Sequence, residues 1–223
     1  MKDPTRIAPV MSALQDLWEA LPDMEFSDIL RLLESEGFES LDDHDALQKL
    51  HALSGRFPRT LGYGVRCATV SGWLITMDDR NVAVWRSSKN PTVPVVWPYQ
   101  EIVSGQVGYP LHVVDTEDQH RRFGLIEAIR PVDTRSMSMD SMPTLHRGDI
   151  GDAVYLLTST EGQKLLIGRS LQLFDVGRRD TECTVMAWQT VYAAAKGQDV
   201  RIELANGAGQ VAYSAIEDIY RLR

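Results

Sequence analysis

Slid along itself by 89 positions, the chain meets its own pattern without a gap from about residue 81 to 113. Asn81-Val82-Ala83-Val84-Trp85 lies over Ser170-Leu171-Gln172-Leu173-Phe174, and Val96 to Ile102 lies over Val185 to Val191. Gly108 meets Gly197, and Leu111-His112-Val113 meets Val200-Arg201-Ile202. One inserted residue makes the offset 90, and then Phe123 to Ile129 lies over Tyr213 to Ile219. Identities are few; the agreement is in apolar and aromatic position, which is what a repeated supersecondary unit preserves. The expectation is one module written twice, at 60–130 and 150–223, with 1–57 outside the repeat. Residues 131–149 hold Ser, Met, Pro, Gly and Asp without periodicity, so they read as a linker between the copies.

Within each copy the period is two. Val82 and Val84, like Leu171 and Leu173, alternate with polar or small residues, as half-buried strands do. Asp78-Asp79-Arg80-Asn81, Thr116-Glu117-Asp118, Glu161-Gly162 and Asn206-Gly207 punctuate the runs as turns. About seven short strands are expected in 63–126 and about seven in 153–213. Each copy closes with an aromatic-x-x-Ile-Glu-x-Ile element, readable as one helical turn or as a final bent strand. Gly72-Trp73-Leu74-Ile75-Thr76 leading to Arg80-x-Val82-x-Val84 and then to Pro98-Tyr99-x-x-Ile102 resembles the opening hairpins of bacterial pleckstrin-homology or GRAM-like domains. That resemblance implies strands closed by a helix longer than this chain supplies, so SH3-like or Sm-like small barrels stand as the alternative. The fold class is α+β.

The α part is amino-terminal. Residues 6–21 set Ile7, Val10, Met11, Leu14, Leu17, Trp18 and Leu21 at three- and four-residue spacing, the stripe of an amphipathic helix. Pro22-Asp23 breaks it. A second helix fits about 26–36, with Phe26, Ile29, Leu30 and Leu33 inward and Gly37 as its stop. A third fits about 43–53, capped by Asp42 or Asp43 and ended by Gly55. Residues 1–55 carry four Lys/Arg against twelve Asp/Glu, so the whole net charge of −8 sits in this head. The run Arg6-Ile7, Val10, Leu14, Trp18, Pro22-Asp23, Ile29-Leu30, Leu33 and Glu36-Gly37-Phe38 resembles the YihD-like family of small helical bacterial proteins. The resemblance implies helical structure and brings no catalytic residue.

Catalytic patterns are missing. His112, Asp115, Glu117, Asp118 and His120 crowd nine residues, yet on a strand His112 and Asp115 point to opposite faces and do not converge on a metal. Cys67 and Cys183 have no neighbouring histidine, and both read as buried small hydrophobes. His44 and His51 read as solvated residues of the third helix. Asp42-Asp43 and Asp78-Asp79 are explained by a helix start and a turn. Phosphate-cradling glycine loops are absent. The aromatic set Trp73, Trp85, Trp97, Tyr99, Phe174 and Trp188 reads as core, with a base-stacking platform as the minor alternative.

Lys89 overlies Arg178 and Asn90 overlies Arg179, which puts positive charge in the same loop of both copies. These three basic residues are the candidate binding residues, for acidic groups on a partner or on the head. An acidic chain lacks the counterion-releasing charge that nucleic-acid binders need, so that class is disfavoured. No apolar run spans a bilayer, the first residues do not read as a secretory signal, and two cysteines make no disulfide framework. A reducing cytosol is the expected compartment. The functional expectation is a non-enzymatic protein-binding adaptor or scaffold with no cofactor and no metal, acting on a protein partner or by self-association. A small-barrel nucleic-acid binder is the alternative, and an enzyme whose site the sequence does not announce comes third.

Overall fold

A computed structural model describes residues 3–62, 64–86, 92–177 and 181–223. A 3-10 turn, Pro4–Arg6, leads into three helices, α1 (Ile7–Glu19), α2 (Phe26–Ser35) and α3 (Asp43–Arg56). Each boundary has a local cause. Asp42 caps α3 by accepting from the backbone N–H of His44 and of Asp45, both at 2.9 Å. Glu25 and Asp28 form a reciprocal capping box at the start of α2. Gly37, at φ 75°, takes the left-handed conformation that lets Phe38 donate to Leu33 at 3.2 Å and end α2. Gly55 does not end α3. The helix runs to Arg56, because Phe57 still donates to Leu53 at 2.8 Å and packs its ring into the head's core.

That core is Ala13, Leu17, Leu50 and Leu53, flanked by Val10, Leu14, Leu33 and Leu47. It is narrower than the expected stripes. Ile7, Met11 and Trp18 of α1 are 52, 55 and 38% exposed, and Phe26 and Leu30 of α2 are 50 and 49% exposed. Three short helices cannot enclose both sides of an apolar face that wide.

Six antiparallel strands follow: β1 (Arg66–Val70), β2 (Trp73–Met77), β3 (Asn81–Trp85), β4 (Val95–Ser104), β5 (Pro110–Asp115) and β6 (His120–Pro131). They pair in sequence order and close β6 onto β1 as a barrel. The two long strands make closure possible. The first half of β4 pairs with β3 and the second with β5, while β6 serves β5 and then β1. Six strands therefore replace the seven expected, and the closing element is a strand.

The second module runs β10 (Tyr155–Ser159), β11 (Lys164–Ile167), β12 (Leu171–Val176), β13 (Thr181–Met186), β14 (Trp188–Val191), β15 (Ala194–Ala195), β16 (Val200–Leu204), β17 (Gln210–Tyr213) and β18 (Ile216–Arg221). Its pairings reproduce those of the first module, with the counterparts of β4 and β6 each broken in two. Residues 131–149 are not a free linker. They form β7 (Ser138–Met139), β8 (Ser141–Met142) and β9 (Leu145–His146), which pair with β18, β15 and β14. Val132, Met137, Met142 and Leu145 are buried. Two-residue strands are too short to show a period, which is why the segment reads as structureless.

Register ties the modules together position by position. Arg66 faces Pro131 as Tyr155 faces Arg221, and Ala68 faces Ile129 as Leu157 faces Ile219. Both pairs break register at the same place, between Thr69 and Val70 and between Thr158 and Ser159. Gly108 (φ 82°) and Gly197 (φ 79°) occupy equivalent turns and donate to Ile126 at 2.8 Å and Ile216 at 2.7 Å. A β-turn of that shape needs positive φ at its third residue, which explains why glycine stands at both.

Each module has its own interior core, and a further apolar cluster lies between them. Cys67, Trp85 and Val132 meet Leu156, Phe174 and Leu222. These are equivalent positions on the two modules, so the contact is built like the self-complementary face of a symmetric dimer. Thr76 donates to the Leu222 carbonyl at 2.6 Å and accepts from Trp85 Nε1 at 3.1 Å, fixing the contact with buried hydrogen bonds. The head is held by Arg59, which bonds Asp16 at 2.8 Å and Glu19 at 2.6 Å.

Candidate functional site

The structure sorts the candidate residues. Lys89, Arg178 and Arg179 lie outside the described residues. His112 and His120 meet across β5 and β6, with Nε2 and Nδ1 2.9 Å apart, while Asp115 sits on the barrel's inward side. No group of three or more His, Cys, Asp or Glu is placed to hold a metal among the described residues. Cys67 is buried, but Cys183 is exposed. The reason is position: β13 lies at the edge of its sheet, where its alternate faces find no cover. Within the aromatic set, Trp85, Phe174 and Trp188 are fully buried. Trp73, Trp97 and Tyr99 are only partly so, and the first two do something else.

Strand alternation puts Trp73, Ile75 and Met77 on one side of β2 and Leu74 and Thr76 on the other. Ile75, Met77 and Val82 belong to the barrel's interior core. Trp73, Val84 and Trp97 share that inward side but pack only at its margin. They stand at the barrel mouth. With Thr92, Val93, Val95 and Arg121 they line a groove of about 390 Å³. Its walls are mostly carbon, and Val95 is 47% exposed.

Two polar atoms of groove-lining residues, Trp97 Nε1 and Thr92 Oγ1, are buried without a hydrogen-bond partner among the described residues. A buried donor left unmade costs on the order of 1–3 kcal/mol, so such atoms mark strain or a binding position. The cation beside them is fixed. Arg121 bonds Asp115 through Nε at 2.8 Å and lies over the Trp97 ring at 5.2 Å. Asp115 also accepts from the N–H groups of Glu117 at 3.0 Å and Gln119 at 2.9 Å. Burial pushes the Asp115 carboxyl up, but Gln119, Arg121 and Glu117 together more than offset this and hold it below the ordinary carboxylate range. Across the mouth, Arg86 lies over the Trp73 ring at 5.4 Å.

The second module shows what the mouth looks like when filled. Val82 faces Trp97 as Leu171 faces Met186, and Tyr99 faces Asp115 as Trp188 faces Leu204. Val113 faces Arg121 as Ile202 faces Val211. Met186, Leu204 and Val211 pack against the second module's core, where the first module has Trp97, Asp115 and Arg121. One mouth is plugged with aliphatic side chains. The other keeps an aromatic groove with an oriented guanidinium at its rim.

Chemically this groove is an acceptor of flat or branched apolar groups that carry a hydrogen-bond acceptor. The guanidinium at its rim only donates. No nucleophile with a base stands in it. The chain matches no family model and no curated protein. Only the pairing signal was open to sequence reading here: Arg121 and Trp97 stand where the second copy has Val211 and Met186, a polar and aromatic departure at repeat positions otherwise apolar.

Proposed function

We propose that the chain is a non-enzymatic protein-binding adaptor, and that the first barrel holds an apolar side chain of an extended partner segment in its mouth. The observation that carries this is the open apolar groove walled by Trp73, Val84, Val95 and Trp97, with the Arg121 guanidinium at its rim. A closed barrel offers no free strand edge, so strand addition is not the route by which the first module binds a partner. Aromatic grooves that take extended segments are the other common route. The groove's volume lies within the range of side-chain and small-ligand pockets. The exposed apolar residues of α1 and α2, set among the head's carboxylates, supply a second contact face for a basic partner or a second copy of the chain.

The identical registers, the shared irregularity after Thr69 and Thr158, and the symmetric contact support a duplication that fused two copies of one small barrel. The strand that closes each copy favours the small-barrel reading over the pleckstrin-homology-like one. A nucleic-acid reading has one feature in its favour, the two tryptophans stacked on arginines, and it is set against the acidic head.

The test is selection of displayed peptides on the full chain, followed by titration of the winners against Trp97→Phe and Val95→Lys. Trp97→Phe shrinks the indole to a phenyl ring and removes its N–H, so affinity should fall about fivefold to a hundredfold, about 1–3 kcal/mol of lost contact. Equal binding by both variants, or a response to single-stranded oligonucleotides alone, would overturn the reading.

A further inference from the structure

Two clefts border the contact between the modules, and they occupy equivalent places. The larger encloses about 550 Å³ and is lined by Cys67, Thr69 and Leu74 of the first module. The smaller encloses about 260 Å³ and is lined by Leu156, Thr158 and Lys164, the counterparts of those residues by register. Arg130 faces Cys67 in one, and Tyr220 faces Leu156 in the other.

Their charges have diverged. Arg130, Arg221 and Arg223 line the larger cleft, with Asp133 and Asp152. Asp152 is occupied by Arg223 at 3.5 Å and Arg169 at 3.6 Å. Asp133 stays exposed at the rim and takes Arg221 through its backbone carbonyl at 2.8 Å. Arg130 makes no hydrogen bond or ion pair among the described residues. In the smaller cleft the balance is reversed: Glu217 and Asp218 stand against Lys164. Burial, with Asp218 and Glu217 nearby, pushes the Tyr220 phenol there up to about 12. Burial raises the Cys67 thiol, while Thr76 and then the Arg223 and Arg130 charges act to lower it; both guanidinium groups, one from each module, line the cleft beside it.

We propose that the larger cleft is an anion site that takes a phosphate group, free or carried on a small metabolite, between Arg130 of the first module and Arg221 and Arg223 of the second. Guanidinium groups present paired donors that match phosphate oxygens, and three of them outnumber the two carboxylates of the cleft. The Thr69 hydroxyl adds a neutral donor on the cleft wall. Because the cations come from both modules, the bound anion ties one to the other.

Calorimetric titration of the full chain at constant ionic strength, with inorganic phosphate and with ribose 5-phosphate, tests this against a sodium chloride blank. Saturable one-to-one binding of phosphate is expected. A tighter ribose 5-phosphate identifies an ester as the ligand, since the cleft exceeds the volume of the bare ion; equal affinity identifies the free ion. Arg130→Gln should weaken binding at least tenfold, with a near-ultraviolet spectrum like that of the parent, because Arg130 is exposed and unpaired. Arg80→Ala, which removes a side chain 83% exposed elsewhere on the first barrel, should bind like the parent. Heat no greater than the chloride blank, undiminished affinity in Arg130→Gln, or equal weakening by Arg80→Ala would sink the proposal.

Discussion

Arg59 donates to Asp16 at 2.8 Å, and its other terminal nitrogen reaches Glu19 at 2.6 Å. With its amide oxygen turned toward the same guanidinium, Gln106 accepts from it at 2.7 and 2.9 Å. One side chain thus joins the acidic head to the first barrel. Each contact is partly exposed and worth roughly 0–1 kcal/mol, yet three converge on one group. Arg59→Glu replaces two attractions by two repulsions. We expect the amides of α1 to exchange several-fold faster, with the barrel strands unchanged. Hydrogen exchange checks this, and unchanged α1 protection would show the head is held by other contacts.

Trp85 is the largest side chain between the modules, fully buried, with its indole N–H on Thr76. Trp85→Ala should destabilise the chain by about 3–5 kcal/mol, the usual cost of deleting a buried aromatic ring. Thr76→Val keeps the shape but strands the indole N–H and the Leu222 carbonyl, for about 1–3 kcal/mol per unmade bond. Denaturant unfolding measures both. A loss below 1 kcal/mol in Trp85→Ala would mean that the modules do not depend on this contact.

The matching strand pairings of the two modules were legible because strand register leaves a period-two trace in the sequence. Val82 and Leu171, or Ile129 and Ile219, hold equivalent positions with little identity around them. Strand number was less legible, since β4 and β6 are long and each serves two neighbours. Residues 131–149 hid their role because Met137, Met142 and Leu145 are buried singly, with no period to betray them. The head's helices were clear from spacing and caps, but not which half of each stripe faced inward; that depends on the third helix's width. For the mouth, Trp73 and Trp97 were visible as aromatics and unreadable as a groove. What separates Trp85 from them is its face, since it lies on the outer side of β3 against the second module.

The two thiols should behave oppositely. Burial raises both thiols above the ordinary value, so access separates them: Cys67 is 6% exposed, whereas Cys183 is exposed on the edge strand β13. Because the thiolate is the reacting form, and access is required, a disulfide reagent should modify one thiol in the native chain and a second only on unfolding. Mass spectrometry of the peptides assigns them. Native labelling of Cys67 at a rate like that of Cys183 would mean the contact between the modules opens readily.

Asp115 and Arg121 form an ion pair in one mouth where the other has Leu204 and Val211. The Asp115 carboxyl titrates below its ordinary value in the folded chain. A group lowered in this way stabilises the fold above its unfolded value, near 3.9, and that contribution fades as pH falls through the folded value. Asp115→Asn should therefore cost stability at pH 7 and much less at pH 2–3. The double variant Asp115→Leu, Arg121→Val copies the second module. Asp115 is buried and Arg121 half-exposed, and replacing a largely desolvated pair by apolar groups of fitting shape is often neutral or stabilising, so thermal stability at pH 7 should hold or rise. The same exchange removes the cation and the Arg121 stem from the rim of the groove, so binding at the mouth should weaken. Melting temperatures across pH 2–7, with peptide titration at pH 7, separate the two effects. A double variant that melts far below the parent would show that the pair is structural and not kept for the site; retained peptide binding would move the site away from the mouth.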